Sequence, residues 1–267
     1  MPALTRDDGV DIHWEARGEG PAVVLAPHWN GVPEVFAPLL AELEGDHRVV
    51  TYDARGTGRS TRTGPHDVET AASDLEAVVE GAGMPAVLVA TADATVPAAT
   101  LGARATESVA AVVCVGIGPV PREALTDTHS MAASDSVIDA FMEMLANDYR
   151  GAMRTLLTAG NPQLSEEDVR DRVRRQVAYC PQDVAVARFT AWAFGDPGSV
   201  GAELGDRLWM LHSESVAGQW FPTATEMVPR LREHLPGARF EEVADGIVSR
   251  PDQTAAVVRR ITAPLRG

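Results

Sequence analysis

The chain has 267 residues, 45% of them hydrophobic and 23% charged, which is not the composition of a disordered, collagen-like or membrane protein. Its formal net charge is −15, and all 23 basic residues are arginine. An acidic surface repels phosphate groups, so neither nucleic acid nor an anionic membrane is an expected partner. The chain shows no signal-peptide pattern, and Cys114 and Cys180 lack metal-ligand spacing. We therefore expect one soluble cytoplasmic domain with structural thiols.

From residue 12 onward, short apolar runs alternate with amphipathic segments of helical spacing. This alternation is typical of strands joined by crossover helices in a mostly parallel sheet that is flanked by helices. It predicts an α/β fold with strands at Ile12–Ala16, Ala22–Pro27, Arg48–Asp53, Ala86–Thr91, Val109–Val115, Arg207–His212 and Arg239–Ala244.

Residues 121–200 interrupt this alternation. They contain no β-branched run and have the pattern of two or three helices rich in Met, Leu and Phe. Turn-forming combinations of Gly and Pro flank the segment on both sides. We predict one domain with a helical cap at 121–200, inserted into a core made of residues 1–120 and 201–267.

One short segment closely matches a known family. Residues 49–60 read Val-Val-Thr-Tyr-Asp-Ala-Arg-Gly-Thr-Gly-Arg-Ser and resemble the D-x-R-G-x-G-x-S turn of the α/β-hydrolase superfamily. Asp53 and Arg55 are expected to pair within this turn, while Gly56 and Gly58 permit backbone angles that a Cβ would oppose. The resemblance extends over about residues 10–265 and implies an α/β-hydrolase fold. The turn has a structural role in the family, so it says little about the reaction.

A second segment resembles the oxyanion loop of the same family, in which a strand ends at a turn whose backbone N–H groups face the active site. It comprises residues 23–31 and reads Val-Val-Leu-Ala-Pro-His-Trp-Asn-Gly. At this strand end, His28 could donate a proton and Trp29 could stack on a ligand, with Asn30 beside them. The alternative for His28 and Trp29 is a hydrogen-bonded histidine packed against a core tryptophan.

The nucleophile of the family lies on a tight strand-to-helix turn written G-x-S-x-G, where the residues two positions away on either side must be small. Here the corresponding strand runs into Ala90-Thr91-Ala92-Asp93-Ala94, which places Ala92 at the nucleophile position. A methyl group cannot attack a carbonyl. A shift by one residue would make Asp93 the nucleophile, but then Thr91 and Thr95 occupy the tight positions. Asp93 could equally line a pocket or lie at an exposed helix N-terminus.

The resemblance also implies that the other two residues of the family's Ser-His-Asp triad are replaced in this sequence. Gly246 lies where the family places its catalytic histidine, after the final strand. Val216 lies in the loop that normally carries the acid, and Glu214 could replace the acid, but without a histidine it has nothing to orient. The resemblance therefore implies an α/β-hydrolase-fold protein with a degenerate triad at Ala92, Val216 and Gly246.

The remaining candidate residues surround the pocket that the fold implies. Asp93 and His28 are the candidate catalytic groups. His212 is interpreted as a hydrogen-bonded core histidine, whereas His13, His47, His66, His129 and His234 are expected to face solvent. The arginines of 170–175 alternate with acidic residues and are expected to form a solvated helix face. The candidate ligand-binding residues are Trp29, Asn30, Thr91, Ala92, Trp192 and Phe194.

Three functions are compatible with this sequence. The first is a cofactor-free, non-hydrolytic enzyme of secondary metabolism (a cyclase, isomerase or lyase) that acts on an apolar small molecule without a metal. The second is a non-catalytic protein that binds a small molecule or a partner, and the third is a hydrolase with a displaced nucleophile such as Asp93. The sequence leaves open whether the protein forms a homodimer.

Overall fold

The computed structural model describes residues 3–29, 32–116, 118–120, 135–161, 163–213, 224–243 and 250–266. Its centre is an eight-stranded sheet with the strand order β1-β2-β4-β3-β5-β6-β7-β8. The first two strands pair antiparallel, as do β2 and β4, and every other pairing is parallel. The strands are β1 Ala3–Thr5, β2 Asp11–Arg17, β3 Ala22–Ala26, β4 Arg48–Tyr52, β5 Ala86–Thr91, β6 Val109–Val115, β7 Leu208–His212 and β8 Arg239–Glu242.

This sheet confirms the predicted mostly parallel α/β fold. The central strands β3 and β5 are buried along nearly their whole length, since helices cover both faces of the sheet, and for this reason they are continuous apolar runs in the sequence. The sequence analysis missed only β1, whose three residues are too few and too exposed to give a pattern. The predicted end of the last strand, Ala244, lies outside the described residues.

Two apolar layers hold the helices against the sheet. On one face, α2, α3, α8 and α9 contribute buried side chains such as Leu75, Leu101 and Leu231. On the other face, Leu39 and Leu43 of α1 pack with Val257 and Val258 of α10. These helices are α1 Ala37–Leu43, α2 Val68–Ala82, α3 Thr95–Arg104, α8 Val200–Leu204, α9 Ala224–His234 and α10 Pro251–Thr262.

In the described part of the chain between β6 and β7 lie four more helices, which we call the cap helices. They form a third apolar cluster of their own, which includes Phe141, Met153 and Phe189. Among the described residues, Trp29 from the loop after β3 is the only buried member of this cluster that precedes the cap helices in sequence. None of the helices in the described ranges is long and apolar enough to cross a membrane. The cap helices are α4 Asp135–Asn147, α5 Tyr149–Gly160, α6 Glu166–Tyr179 and α7 Gln182–Phe194.

The turn after β4 has the glycine conformations that the motif predicts, but not the predicted ion pair. Gly56 and Gly58 adopt φ values of 84° and 52°, in the region that side chains disfavour. The Asp53–Arg55 pair was predicted wrongly. Asp53 accepts hydrogen bonds from the N–H of Arg59 and the hydroxyl of Tyr179 instead. Arg55 pairs in bidentate geometry with Asp74 on α2, because the turn directs its guanidinium toward that helix.

Two histidines that were predicted to face solvent are buried. His13 lies on β2 with 7% of its surface exposed, and His47 precedes β4 and is completely buried. The imidazole of His47 lies 2.9 Å from Asp46 Oδ1 and 2.8 Å from the hydroxyl of Thr262 at the end of α10. His47 therefore connects the start of β4 to the last helix.

We expect this buried histidine to make the protein less stable in mild acid. Burial lowers the pKa of His47 below its usual value of 6.5, although Asp46 opposes the shift. Below pH 6.5 the unfolded chain then binds a proton that the folded chain does not, so the free energy of unfolding falls as the pH drops. The expected loss is up to about 1.4 kcal/mol per pH unit for one proton.

The measurement is urea unfolding between pH 7.5 and pH 5, and His47→Gln should flatten the profile. The matched control is His234→Gln, because His234 is exposed on α9 and its replacement should leave the profile unchanged. If the two variants have the same pH profile as the wild type, His47 does not cause the acid sensitivity.

Candidate functional site

The turn after β5 has the geometry of a strained strand-to-helix elbow. Ala92 adopts φ 47° and is the only non-glycine residue with a positive φ in the described parts of the chain. It begins a short 3-10 turn that continues directly into α3, and the hydroxyl of Thr95 donates a 2.7 Å hydrogen bond to the Ala92 carbonyl. Ala90 and Ala94, two residues away on either side, are buried and small. The apex of the elbow is therefore Ala92 and not Asp93.

The carboxylate of Asp93 is fully engaged in contacts within the protein. Its Oδ1 accepts a 2.7 Å hydrogen bond from the backbone N–H of Trp29, in the loop after β3. Its Oδ2 lies 2.9 Å from Nε and 2.6 Å from Nη2 of Arg188, which projects from the cap helix α7. Asp93 is 8% exposed, so these contacts are shielded from water. The elbow, the loop after β3 and the cap thus meet at one carboxylate.

Arg188 forms the other half of this buried ion pair. Burial opposes the charge of its guanidinium, but the Asp93 carboxylate together with Cys180 and Tyr52 raises the pKa of Arg188 above its usual value. Arg188 also donates a 3.0 Å hydrogen bond from Nη2 to the carbonyl of Pro27 at the end of β3. The sequence analysis did not single out Arg188. The available signal was an isolated arginine in an apolar helix with no acidic residue three or four positions away.

Trp29 is a packing residue between the core and the cap. Only 4% of its surface is exposed, and its ring makes edge-on contacts with Phe189 at 5.4 Å and Phe141 at 6.5 Å between ring centroids. Aromatic side chains of the cap cover the indole in this structure, and stacking of Trp29 on a ligand stays a prediction. Trp192 contacts the same group through Phe189, at 5.5 Å, and is only half-buried.

Three spaces in the described structure lie near the predicted pocket. Beside the ion pair lie two narrow clefts of about 40 and 30 Å³, each large enough for about one or two water molecules. Arg188 and His66 line both clefts, and Asp93 and Trp192 line the second. His66 is half-buried there, contrary to its predicted exposure. A separate and larger cavity of about 610 Å³ is lined by His28 and by cap residues. Neither cleft nor this cavity is lined by both His28 and Asp93, and the single apolar pocket expected between them stays a prediction.

Other candidate residues lie elsewhere or are not described. Phe194 is 51% exposed at the end of α7 and lines neither cleft, so its predicted role as a lining residue is not supported by its position. Thr91 is half-buried at the end of β5, and His212 is half-buried at the end of β7. Asn30, His129, Glu214, Val216 and Gly246 lie outside the described residues.

The elbow limits what this arrangement can do chemically. In the α/β-hydrolase fold, an N–H from the loop after the third strand and the N–H following the nucleophile stabilise the oxyanion of the reaction. Here the N–H of Trp29 already donates to Asp93, and the residue at the apex carries only a methyl group. In this conformation the site therefore has one oxyanion donor fewer than a hydrolase of this fold, and no nucleophilic side chain at the apex.

Comparisons with known proteins agree with this fold. A family model described as "alpha/beta hydrolase fold" matches residues 21–174 of the chain. This match covers more than half of the 267 residues, and the chain belongs to the α/β-hydrolase fold family.

The curated relatives match only in part. The chain is 39% identical over 89 residues to a bifunctional esterase/perhydrolase of Acinetobacter calcoaceticus, which is 32% of each chain. It is 33% identical over 86 residues to a non-heme haloperoxidase of Rhodococcus erythropolis, covering 32% of this chain and 31% of that one. The aligned segments thus span under a third of each relative. The activity of neither relative is therefore assigned to this chain.

Solved structures match over almost the whole chain. An esterase from Exiguobacterium antarcticum superimposes with a TM-score of 0.80 at 17% identity, covering 97% of this chain and 98% of that one. An enol-lactonase from Burkholderia xenovorans gives a TM-score of 0.74 at 17% identity, covering 98% of this chain and 100% of that one. At such identities the likeness establishes the fold alone.

Proposed function

We propose that this protein is a non-hydrolytic member of the α/β-hydrolase fold family that binds a small molecule between its cap helices and its core. In this proposal the triad is degenerate, with Ala92, Val216 and Gly246 at the positions of nucleophile, acid and base. The helical segment 121–200 acts as the cap that covers the ligand. The proposal requires neither a metal nor an organic cofactor.

One observation carries this proposal: the Asp93 carboxylate accepts the hydrogen bond of the Trp29 N–H and forms an ion pair with Arg188. A hydrolase of this fold needs that N–H for the transition state, and removal of one such donor typically slows catalysis by about 10² to 10³. In this protein the Asp93 carboxylate already accepts that hydrogen bond, and Ala92 at the apex of the elbow carries no nucleophile. Both features favour ligand binding over acyl transfer.

Asp93 itself is a weak candidate for the nucleophile. Nucleophilic attack requires an accessible carboxylate oxygen, and both oxygens of Asp93 already have partners within 3 Å. A displaced-nucleophile hydrolase would incorporate ¹⁸O from labelled water into this carboxylate during turnover. We expect no label in the peptide that contains Asp93, and labelling would establish the hydrolase instead.

The direct test is hydrolysis of short p-nitrophenyl esters by the purified protein. We expect a rate equal to that of the buffer alone, because the apex methyl group cannot form an acyl-enzyme. Saturable ester hydrolysis that is abolished by Asp93→Asn would overturn the proposal.

Ala92→Ser alone is expected to leave ester hydrolysis within about tenfold of the wild-type background. An unactivated hydroxyl has a pKa far above neutral, and without a general base it lacks a contribution of about 10² to 10⁴ in rate. Steady-state kinetics with p-nitrophenyl butyrate check this expectation. The comparison variant is Ala92→Ser with Gly246→His, which supplies a base at the position that the family uses. A single variant as fast as the double one would reveal a base elsewhere in the protein.

A second candidate is a cofactor-free cyclase, isomerase or lyase, and the clefts beside Arg188 favour it. His66 lines both clefts next to this guanidinium, and burial together with the nearby Arg188 lowers the pKa of His66. A neutral imidazole beside a fixed cation can move a proton while the cation stabilises negative charge on a substrate oxygen. Conversion of a metabolite by the wild type but not by His66→Gln would favour this enzyme over a binding protein.

A further inference from the structure

One cavity bordered by described residues lies away from the elbow. It has a volume of about 610 Å³, is open to solvent, and is bordered by the segment after β3 on one side and by α5 and α6 of the cap on the other. Neither Ala92 nor Asp93 lines it, whereas His28 of the oxyanion loop does. Its apolar walls are formed by Val32, Val35, Pro38, Leu156, Leu157 and Leu164.

The volume and the walls suit a small organic ligand. Ligand pockets in proteins commonly enclose about 300 to 1,000 Å³ and are mostly apolar with a few polar groups. An apolar chain placed against these walls would lose contact with water and gain about 25 cal/mol for each Å² of apolar surface buried. The walls therefore specify the apolar part of a ligand.

The polar part of the cavity comes from one face of α6. Arg172, Arg175 and Gln176 have the i, i+3, i+4 spacing that places side chains side by side on a helix, and all three line the cavity. The arginines of 170–175 are exposed, as predicted, and two of them also border this cavity. Among these arginines, Arg174 does pair with an acidic residue, Asp171.

The two cavity arginines differ from Arg174 in their partners. Neither Arg172 nor Arg175 has an ion pair or a side-chain hydrogen bond to any residue in the described ranges, although Asp168 lies close enough to Arg172 for a Coulombic attraction. One carboxylate, that of Glu34, also lines the cavity. Two cations against one carboxylate leave a local positive charge in a protein whose net charge is −15.

We propose that this cavity binds an amphipathic carboxylate, with the carboxylate held by Arg172 and Arg175 and an apolar chain against the leucine side chains of the cap. Guanidinium groups form charge-assisted, frequently bidentate hydrogen bonds with carboxylates, and the apolar walls have no other occupant among the described residues. The inference rests on the proposed function, because the ligand is retained and not hydrolysed. The inference adds to that function a class of ligand and a binding site that is separate from the elbow.

Isothermal titration with sodium decanoate, decanol and sodium acetate tests the ligand class. Decanoate should bind with saturation and at least about tenfold more tightly than decanol, since hydrogen bonds to a charged group contribute more than those to a neutral one. Acetate, which lacks the chain, should show no saturable binding at the same concentrations. The proposed ligand class would be overturned if decanoate did not bind, or if it bound no more tightly than decanol.

Three variants test the location. Arg172→Gln and Arg175→Gln should each raise the dissociation constant for decanoate by about tenfold, a modest loss because both side chains are exposed. The matched control, Arg174→Gln, removes the same charge from the same helix outside the cavity and should leave the constant within about twofold. Leu157→Trp should abolish binding by filling the chain site. Equal effects of Arg174→Gln and Arg175→Gln, or unchanged binding in Leu157→Trp, would place the ligand elsewhere.

The outcome separates this inference from the proposed function. If decanoate does not bind and esters are not hydrolysed, the ligand class is wrong and the non-hydrolytic function stands. If esters are hydrolysed by the wild type, the proposed function is wrong whether decanoate binds or not.

Discussion

Replacing Arg188 with Met is expected to lower the free energy of unfolding by about 3 to 5 kcal/mol, the range measured when one partner of a buried ion pair is removed. The substitution leaves the Asp93 carboxylate in a site that is 8% exposed, with only the N–H of Trp29 as a partner. It also removes the hydrogen bond to Pro27. Urea unfolding monitored by tryptophan fluorescence measures the loss.

Two further variants make this expectation specific. Arg154→Met breaks the exposed ion pair with Glu166, which joins cap helices α5 and α6. It should lower the free energy of unfolding by less than about 1 kcal/mol. The double change Arg188→Met with Asp93→Leu replaces the pair by apolar groups and should be less destabilising than Arg188→Met alone. A double variant as unstable as the sum of its single changes would show that the two side chains act independently.

Replacing Trp29 with Ala is expected to destabilise the protein by about 3 to 5 kcal/mol, which is the usual cost of truncating a fully buried aromatic residue. The indole fills the space between the loop after β3 and the cap, in contact with Phe141 and Phe189. The cavity left behind cannot collapse without moving the cap helices.

Phe194→Ala is the matched control for this change, since it truncates an aromatic residue of α7 that is 51% exposed. Its cost should be less than about 1 kcal/mol. If Trp29→Ala instead leaves stability unchanged, the indole lines an open pocket, as the sequence had suggested.

The sheet and the elbow were predictable because their signals are local. Val87, Leu88 and Val89 form a continuous apolar run, since both faces of a central parallel strand are buried. Small residues at positions 90 and 94 indicated that Ala92 occupies the apex, and its φ of 47° agrees with that alignment. Such features depend only on a few neighbouring residues.

The contacts of the site were not predictable because they join distant parts of the chain. Arg188 and Asp93 are 95 positions apart, and His47 and Thr262 are 215 positions apart. No periodicity connects such pairs. Trp29 illustrates a second reason, because an apolar residue at a strand end has the same sequence signature whether it lines a pocket or fills a core.

Labelling with a fluorophosphonate probe, followed by mass spectrometry of the intact protein, tests the absence of a serine-hydrolase mechanism most directly. The variant Ala92→Ser with Gly246→His serves as the comparison, because it carries a hydroxyl and a base at the positions proposed for nucleophile and base. We expect the wild-type protein to keep its unmodified mass under conditions that fully label a serine esterase. A stoichiometric adduct on any serine of the wild type would contradict the proposed non-hydrolytic function.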